Sequence, residues 1–121
     1  MVALLLDAGP AGRWATDTLS GADLAAPSLL GFEVANILRR QELAKLITAD
    51  QAVQAHADLL DLAIEYWPYK LLARRAWQLR HHLTTYDASY VALAELLGVT
   101  LVTLDGGIAR VPDLRCPVAT N

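Results

Sequence analysis

The chain is poor in sulfur, in linkers and in excess charge. It has one cysteine, Cys116, among 121 residues, so no intramolecular disulfide can staple the fold. No second Cys, and no His at zinc-ligand spacing, accompanies it. A packed structural thiol beside Pro117 is the simplest reading, and a reactive thiol is the alternative. No apolar run approaches the roughly 18 residues needed to span a bilayer, and Met1 to Leu6 lacks the basic flank and length of a signal peptide. A cytoplasmic protein with no membrane partner is therefore expected. Repeats, low-complexity tracts and Pro/Gly-rich linkers are also missing, so residues 1–121 are read as a single domain. The net charge of −3 argues against a surface coated in positive charge for general nucleic-acid binding. It leaves room for a local basic rim from Arg39, Arg40, Arg74, Arg75 and Arg80, with His81 and His82 following. A solvated helix face explains those residues equally well.

What is present is Ala and Leu interrupted every few positions by charge. A 55% apolar composition and a mean hydropathy of +0.31 suit packed helices. Residues 13–20 read as a short helix, Asp23 to Ala26 as a short extended segment, and Ser28 as the cap of the next helix. In that helix Leu30, Val34, Ile37 and Leu38 make one apolar stripe, with Glu33 at its edge. Thr48-Ala49-Asp50-Gln51 has the capping-box pattern and opens a helix to about Ile64, whose broad apolar coverage points to burial or a partner contact. Trp67-Pro68 breaks the pattern, and a helix over Leu71 to His82 follows. Thr84 to Asp87 signals another helix start, with a helix over Tyr86 to Leu97 that Gly98 ends.

Val99 to Leu104 is then a short β-prone run, compact enough for a fully buried parallel strand, and Asp105-Gly106-Gly107 turns out of it. Helix, glycine stop, buried strand and acid make an α/β unit, in which ligands gather at the carboxyl ends of strands. Asp105 is placed there, although a DGG turn also favours Asp for local reasons. Glu33 and Asp87 have local explanations too, as a surface helix residue and as a partner of a helix N-terminus. Several carboxylates pointing into one cleft would suit magnesium or manganese, which prefer hard oxygen ligands.

The stretch Tyr86-Asp87-Ala88-Ser89-Tyr90-Val91-Ala92-Leu93-Ala94-Glu95, with Leu97-Gly98 and Leu101-Val102-Thr103-Leu104-Asp105, resembles the carboxyl-terminal half of PIN-domain ribonucleases of the VapC toxin type. Ala26 to Leu30, with Glu33-Val34-Ala35-Asn36-Ile37-Leu38-Arg39-Arg40, looks like the same family's second acidic helix. The resemblance implies a PIN-like three-layer α/β fold, a central parallel sheet flanked by helices, with an acidic pocket for magnesium or manganese. It implies a metal-dependent endoribonuclease, the toxin of a type II toxin–antitoxin system, whose partners are RNA, a cognate antitoxin protein and a second copy in a homodimer. Glu33, Asp87 and Asp105 match the family's second, third and fourth acids, as catalytic metal ligands. Thr103 and Asn36 are candidates to support them.

In one respect the chain departs from the pattern. Such proteins open with a buried strand ending in an Asp, and the one candidate here is Asp7. Asp7 stands too close to Glu33 to leave room for a strand and two helices between them. Leu5-Leu6-Asp7-Ala8-Gly9-Pro10 instead matches a Leu-Leu-Asp-x-Gly-Pro stretch found after the first strand. In that register the N-terminal strand is missing; in the other, Asp7 has shifted into the vacant role. A shortened, non-catalytic PIN-like module that binds an antitoxin or itself is thus the alternative function. A response-receiver-like domain fits poorly, because neither Lys45 nor Lys70 stands near a strand end.

Overall fold

The computed structural model describes residues 24–103 and 106–120. The short helix expected over residues 13–20 and the register of Asp7 lie outside the described residues. The chain divides into two compact units, Met1–Leu24 with Leu29–Ile64, and Ala25–Ser28 with Glu65–Asn121.

In the first unit, helices α1 (Leu30–Leu43) and α2 (Ala49–Asp61) pack on one another. The expected stripe is present on α1: Leu30, Val34 and Leu38 are buried, while Ile37 and Glu33 are half-buried beside it. Ser28 does not cap this helix. The N-cap is Leu29, already in helical conformation and without a side-chain cap. Ser28 is therefore one position too early to reach the free N–H groups, and both its N–H and its hydroxyl donate to the Trp67 carbonyl, at 2.9 and 3.1 Å. The other end of α1 closes in a Schellman motif. Leu46 N–H donates to Gln41 O and Lys45 N–H to Glu42 O, both at 2.9 Å. Lys45 takes the left-handed position at φ 61° that glycine usually fills. Thr48 then caps α2 with the full capping box: Gln51 N–H donates to Thr48 Oγ1 at 3.1 Å and Thr48 N–H to Gln51 Oε1 at 2.9 Å. The broad apolar surface of α2 is only partly covered; Ala52 and Leu59 are buried, but Val53 and Leu60 are largely exposed.

Helix α2 stops at Asp61, short of the expected Ile64, because Leu62 already has extended backbone and Ile64 opens a strand. Strand β1 (Leu24–Pro27) pairs with β2 (Ile64–Trp67) in a two-stranded sheet. Pro68 disfavours helical backbone at Trp67, and Ile, Tyr and Trp suit a pleated surface. Pro68 is also the N-cap of α3 (Tyr69–Gln78), which starts and ends earlier than the expected Leu71 to His82. Beyond Leu79 the chain continues in turns, held by Arg80 N–H to Trp77 O and His82 N–H to Leu79 O. Thr84 caps α4 (Thr85–Leu97), and Gly98, at φ 65°, ends it as its sequence position requires.

Helix α4 lies at the centre of the second unit's core. Ala88, Val91, Ala92, Leu93 and Ala94 are buried with Leu72 and Ala76 of α3, Leu79 just past it, Leu101 and Ile108. The small residues of α4 let its neighbours approach closely. After α4 the strand is shorter than the expected Val99 to Leu104. Val99 N–H is committed to Ala94 O in closing the helix, so β3 (Leu101–Val102) covers two described residues, with Val102 only half-buried. It pairs in parallel with β4 (Val118–Ala119), Leu101 opposite Val118 and Val102 opposite Ala119. A 3-10 turn, Ile108–Arg110, lies between them in sequence.

Candidate functional site

The sequence at the start of α4 accounts for where Asp87 sits. Thr84 has extended backbone, and its Oγ1 accepts from the Asp87 N–H at 3.2 Å. That fixes Asp87 in the first turn, where the positive end of the helix favours a carboxylate. The Asp87 side chain is half-buried, and the residues following it hold the turn in place. Ala88 is fully buried, and buried Ser89 donates its hydroxyl to Tyr86 O at 2.6 Å, so its polarity is satisfied locally.

Thr103 follows β3 directly. Its N–H donates to Ala119 O at 3.0 Å, and Leu101 N–H donates to Pro117 O at 2.9 Å, so the parallel ladder holds the carboxyl end of the strand. Thr103 is half-buried at that end, the position where α/β units present ligand-binding groups. Asp105 lies outside the described residues. In the first unit Glu33 occupies the first turn of α1, half-buried, with its N–H on Leu29 O at 3.0 Å. Asn36, one turn on, is exposed. Among the described residues no group of three or more His, Cys, Asp or Glu side chains forms a metal-holding cluster. The expected triad cannot be assembled from described residues alone, since it needs Asp105. A cavity of about 430 Å³ lies at the α1–α2 turn, lined in part by Glu42, Lys45, Ile47 and Gln51, none of them an expected site residue.

One constellation went unread in the sequence. Arg75 of α3 grips Glu95 of α4 through Nε to Oε1 at 2.6 Å and Nη2 to Oε2 at 3.2 Å, and Nη2 also donates to Asp113 O at 3.0 Å. Glu95 Oε2 accepts a further bond from Arg115 N–H at 2.7 Å. The Glu95 side chain is only 7% exposed. Burial by itself would push its carboxyl up, but the Arg75 hydrogen bond, the Arg115 N–H and both arginine charges outweigh that and hold it below the ordinary value. The Glu95 hydrogen bond in turn raises Arg75. Arg75 is therefore a brace between α3, α4 and the loop before β4, and does not belong to a phosphate-contacting rim. Twenty residues separate the two partners, a spacing no local periodicity reveals. Cys116 is half-buried; burial first, then the Glu95 charge, pushes its thiol up, as suits a packed structural cysteine.

A model of the PIN domain matches residues 1–114. The chain belongs to the PIN-domain family. This PIN domain is similar to proteins named Ribonuclease VapC12 and Ribonuclease VapC1 of Mycobacterium tuberculosis. The first is 38% identical over 101 residues, 84% of this chain and 78% of the relative. The second is 44% identical over 94 residues, 77% of this chain and 71% of the relative. Similarity extends to Ribonuclease VapC3 of Pyrobaculum aerophilum, 35% identical over 100 residues, 78% of this chain and 76% of that one. The α/β class and the family expected from the Tyr86-Asp87-Ala88 and Thr103-Leu104-Asp105 motifs are thereby borne out. No helix among the described residues of this PIN domain is long and apolar enough to cross a membrane.

Proposed function

We propose that this PIN domain is a metal-dependent endoribonuclease, the toxin of a type II toxin–antitoxin pair, restrained by a cognate antitoxin protein. The observation that carries this reading is the match to ribonuclease-named relatives at 38% and 44% identity over most of both chains. Glu33, Asp87 and Asp105 are the proposed ligands of a magnesium or manganese ion. Thr103 and Asn36 orient them, and a homodimer in the cytoplasm is the proposed working form. The donor set fits such an ion: all three groups are carboxylates, the hard oxygen ligands it prefers. A bound ion supplies electrostatic stabilisation to the charge that develops on phosphoryl oxygens.

The chain's own part is positional. The Thr84 cap holds the Asp87 backbone in the first turn of α4, and the β3–β4 ladder holds Thr103 at a strand end. Preorganised groups of this kind need not reorder during reaction. Calorimetric titration of manganese into wild-type protein and into Asp87→Asn and Asp105→Asn tests the ligand set. Wild-type protein should bind the ion and both variants should lose that binding; wild-type binding by Asp87→Asn would remove Asp87 from the set.

A further inference from the structure

We infer that the solvent face of α3 and the turn after it form a binding strip for a single-stranded stretch of the RNA substrate, with a base stacked on Trp77. The inference rests on the ribonuclease reading and adds a second contact region to it. Between Glu65 and Asp87 the sequence contains no acid, although 13 acids are spread through a chain of net charge −3. In the same interval stand Lys70, Arg74, Arg75 and Arg80, with His81 and His82.

Helix α3 sorts these residues by face. Leu72, Ala76 and Leu79 recur one turn apart and are buried in the core. Lys70, Arg74 and Trp77 recur at helical spacing on the opposite side and are exposed, and His81, in the turn after the helix, is exposed as well. Arg75 is occupied by Glu95 and takes no part.

Trp77 is the decisive residue. A surface tryptophan costs the chain solubility without adding to the core, and this one keeps 61% of its surface exposed. Its ring is not disordered packing: the Arg80 guanidinium sits 4.7 Å from the ring centroid, while Arg80 Nη1 donates to Trp77 O at 2.9 Å. The ring is thus oriented by a cation on one side and remains accessible. An oriented aromatic flanked by Lys70 and Arg74, which make no ion pair among the described residues, matches what an unpaired nucleic-acid strand offers, a base face and a row of phosphates. Double-stranded RNA lacks the free base face, so a single strand is the committed occupant.

The test uses the full chain in chelator, so that no cleavage occurs, and follows the anisotropy of a fluorescent single-stranded RNA of mixed sequence. Trp77→Ala should weaken binding by about tenfold, and Trp77→Tyr should restore most of it, because stacking on any aromatic ring serves. Lys70→Gln and Arg74→Gln should each weaken binding and flatten its salt dependence by about 0.7 in log–log slope per charge removed. Lys45→Gln, outside the strip, is the control for charge alone. Equal RNA affinity in wild type and Trp77→Ala overturns the proposal, as does an unchanged RNA affinity accompanied by lost capture of a co-expressed protein. Cleavage with magnesium is read separately. If RNA is never cut yet Trp77→Ala still releases it, the ribonuclease reading fails and the strip stands; if cutting occurs and Trp77→Ala binds normally, the reverse holds.

Discussion

Replacing Glu95 by glutamine keeps the shape of the brace and removes its charge, so the variant isolates what the carboxylate contributes. Both oxygens are in use: Oε1 accepts from Arg75 Nε, and Oε2 accepts from Arg75 Nη2 and from Arg115 N–H. An amide has one accepting corner, and its NH2 must face one of these donors whichever way it is flipped. At least one charge-assisted bond is lost, each worth about 1.5–3 kcal/mol. Arg75 is 19% exposed and retains its bond to Asp113 O, so water and that carbonyl offset part of the loss. A destabilisation of about 2–3 kcal/mol is expected, or a fall in Tm of roughly 10 °C for a chain of this size. The folded carboxyl lies below its ordinary value of 4.5. Its stabilisation is therefore fully present above that value and disappears as pH falls through the lowered one. Urea denaturation followed by circular dichroism should show the wild-type and Glu95→Gln midpoints far apart at neutral pH and converging in acid. A double-mutant cycle with Arg75→Gln should return a coupling of about 1–3 kcal/mol. A neutral-pH difference below about 0.5 kcal/mol, the range of exposed ion pairs, or a difference independent of pH, would show that the Glu95 carboxylate does not brace the fold.

Four further outcomes follow from local geometry and burial. Thr84→Ala should cost about 1 kcal/mol in the same denaturation assay, through loss of the bond to Asp87 N–H. Gly98→Ala should cost about 1 kcal/mol as well; nothing lies within 4 Å of the added Cβ, so the cost is that of holding alanine at φ 65° and not of a clash. Lys45→Gly should move stability the other way, by up to about 1 kcal/mol, because φ 61° strains lysine and not glycine. Cys116 should react with iodoacetamide more slowly at pH 8 in folded than in urea-unfolded protein, since burial raises its thiol; equal rates would show that the thiol is not shielded.

Much of this architecture is legible in the amino-acid order wherever the signal is local. The capping box at Thr48, the start of α4 at Thr84 and its stop at Gly98 all follow from side chains within a few positions of the backbone groups they serve. The stripe on α1 is equally plain. What escaped depends on distant partners. The run Ile64 to Trp67 is a strand because β1 pairs with it, and its four residues carry too little period to announce that. Ser28 bonds to Trp67, 39 positions away, instead of capping its own helix. β4 is too short to recognise before β3 is in place, and the Arg75–Glu95 brace joins two helices whose packing no periodicity predicts. The proposed carboxylates rest on motif alone: Glu33 and Asp87 are half-buried in the first turns of α1 and α4, while Asp105 and Asp7 lie outside the described residues.

The chemistry proposed for this PIN domain is cleavage of RNA by its acids with a divalent metal ion. Incubation of the purified chain with an end-labelled single-stranded RNA, with magnesium or with chelator, tests it directly when Asp87→Asn is run beside the wild type. Discrete fragments are expected from the wild type with magnesium, and intact RNA both in chelator and with Asp87→Asn. Intact RNA from folded wild-type protein with magnesium, or wild-type cutting by Asp87→Asn, would contradict it.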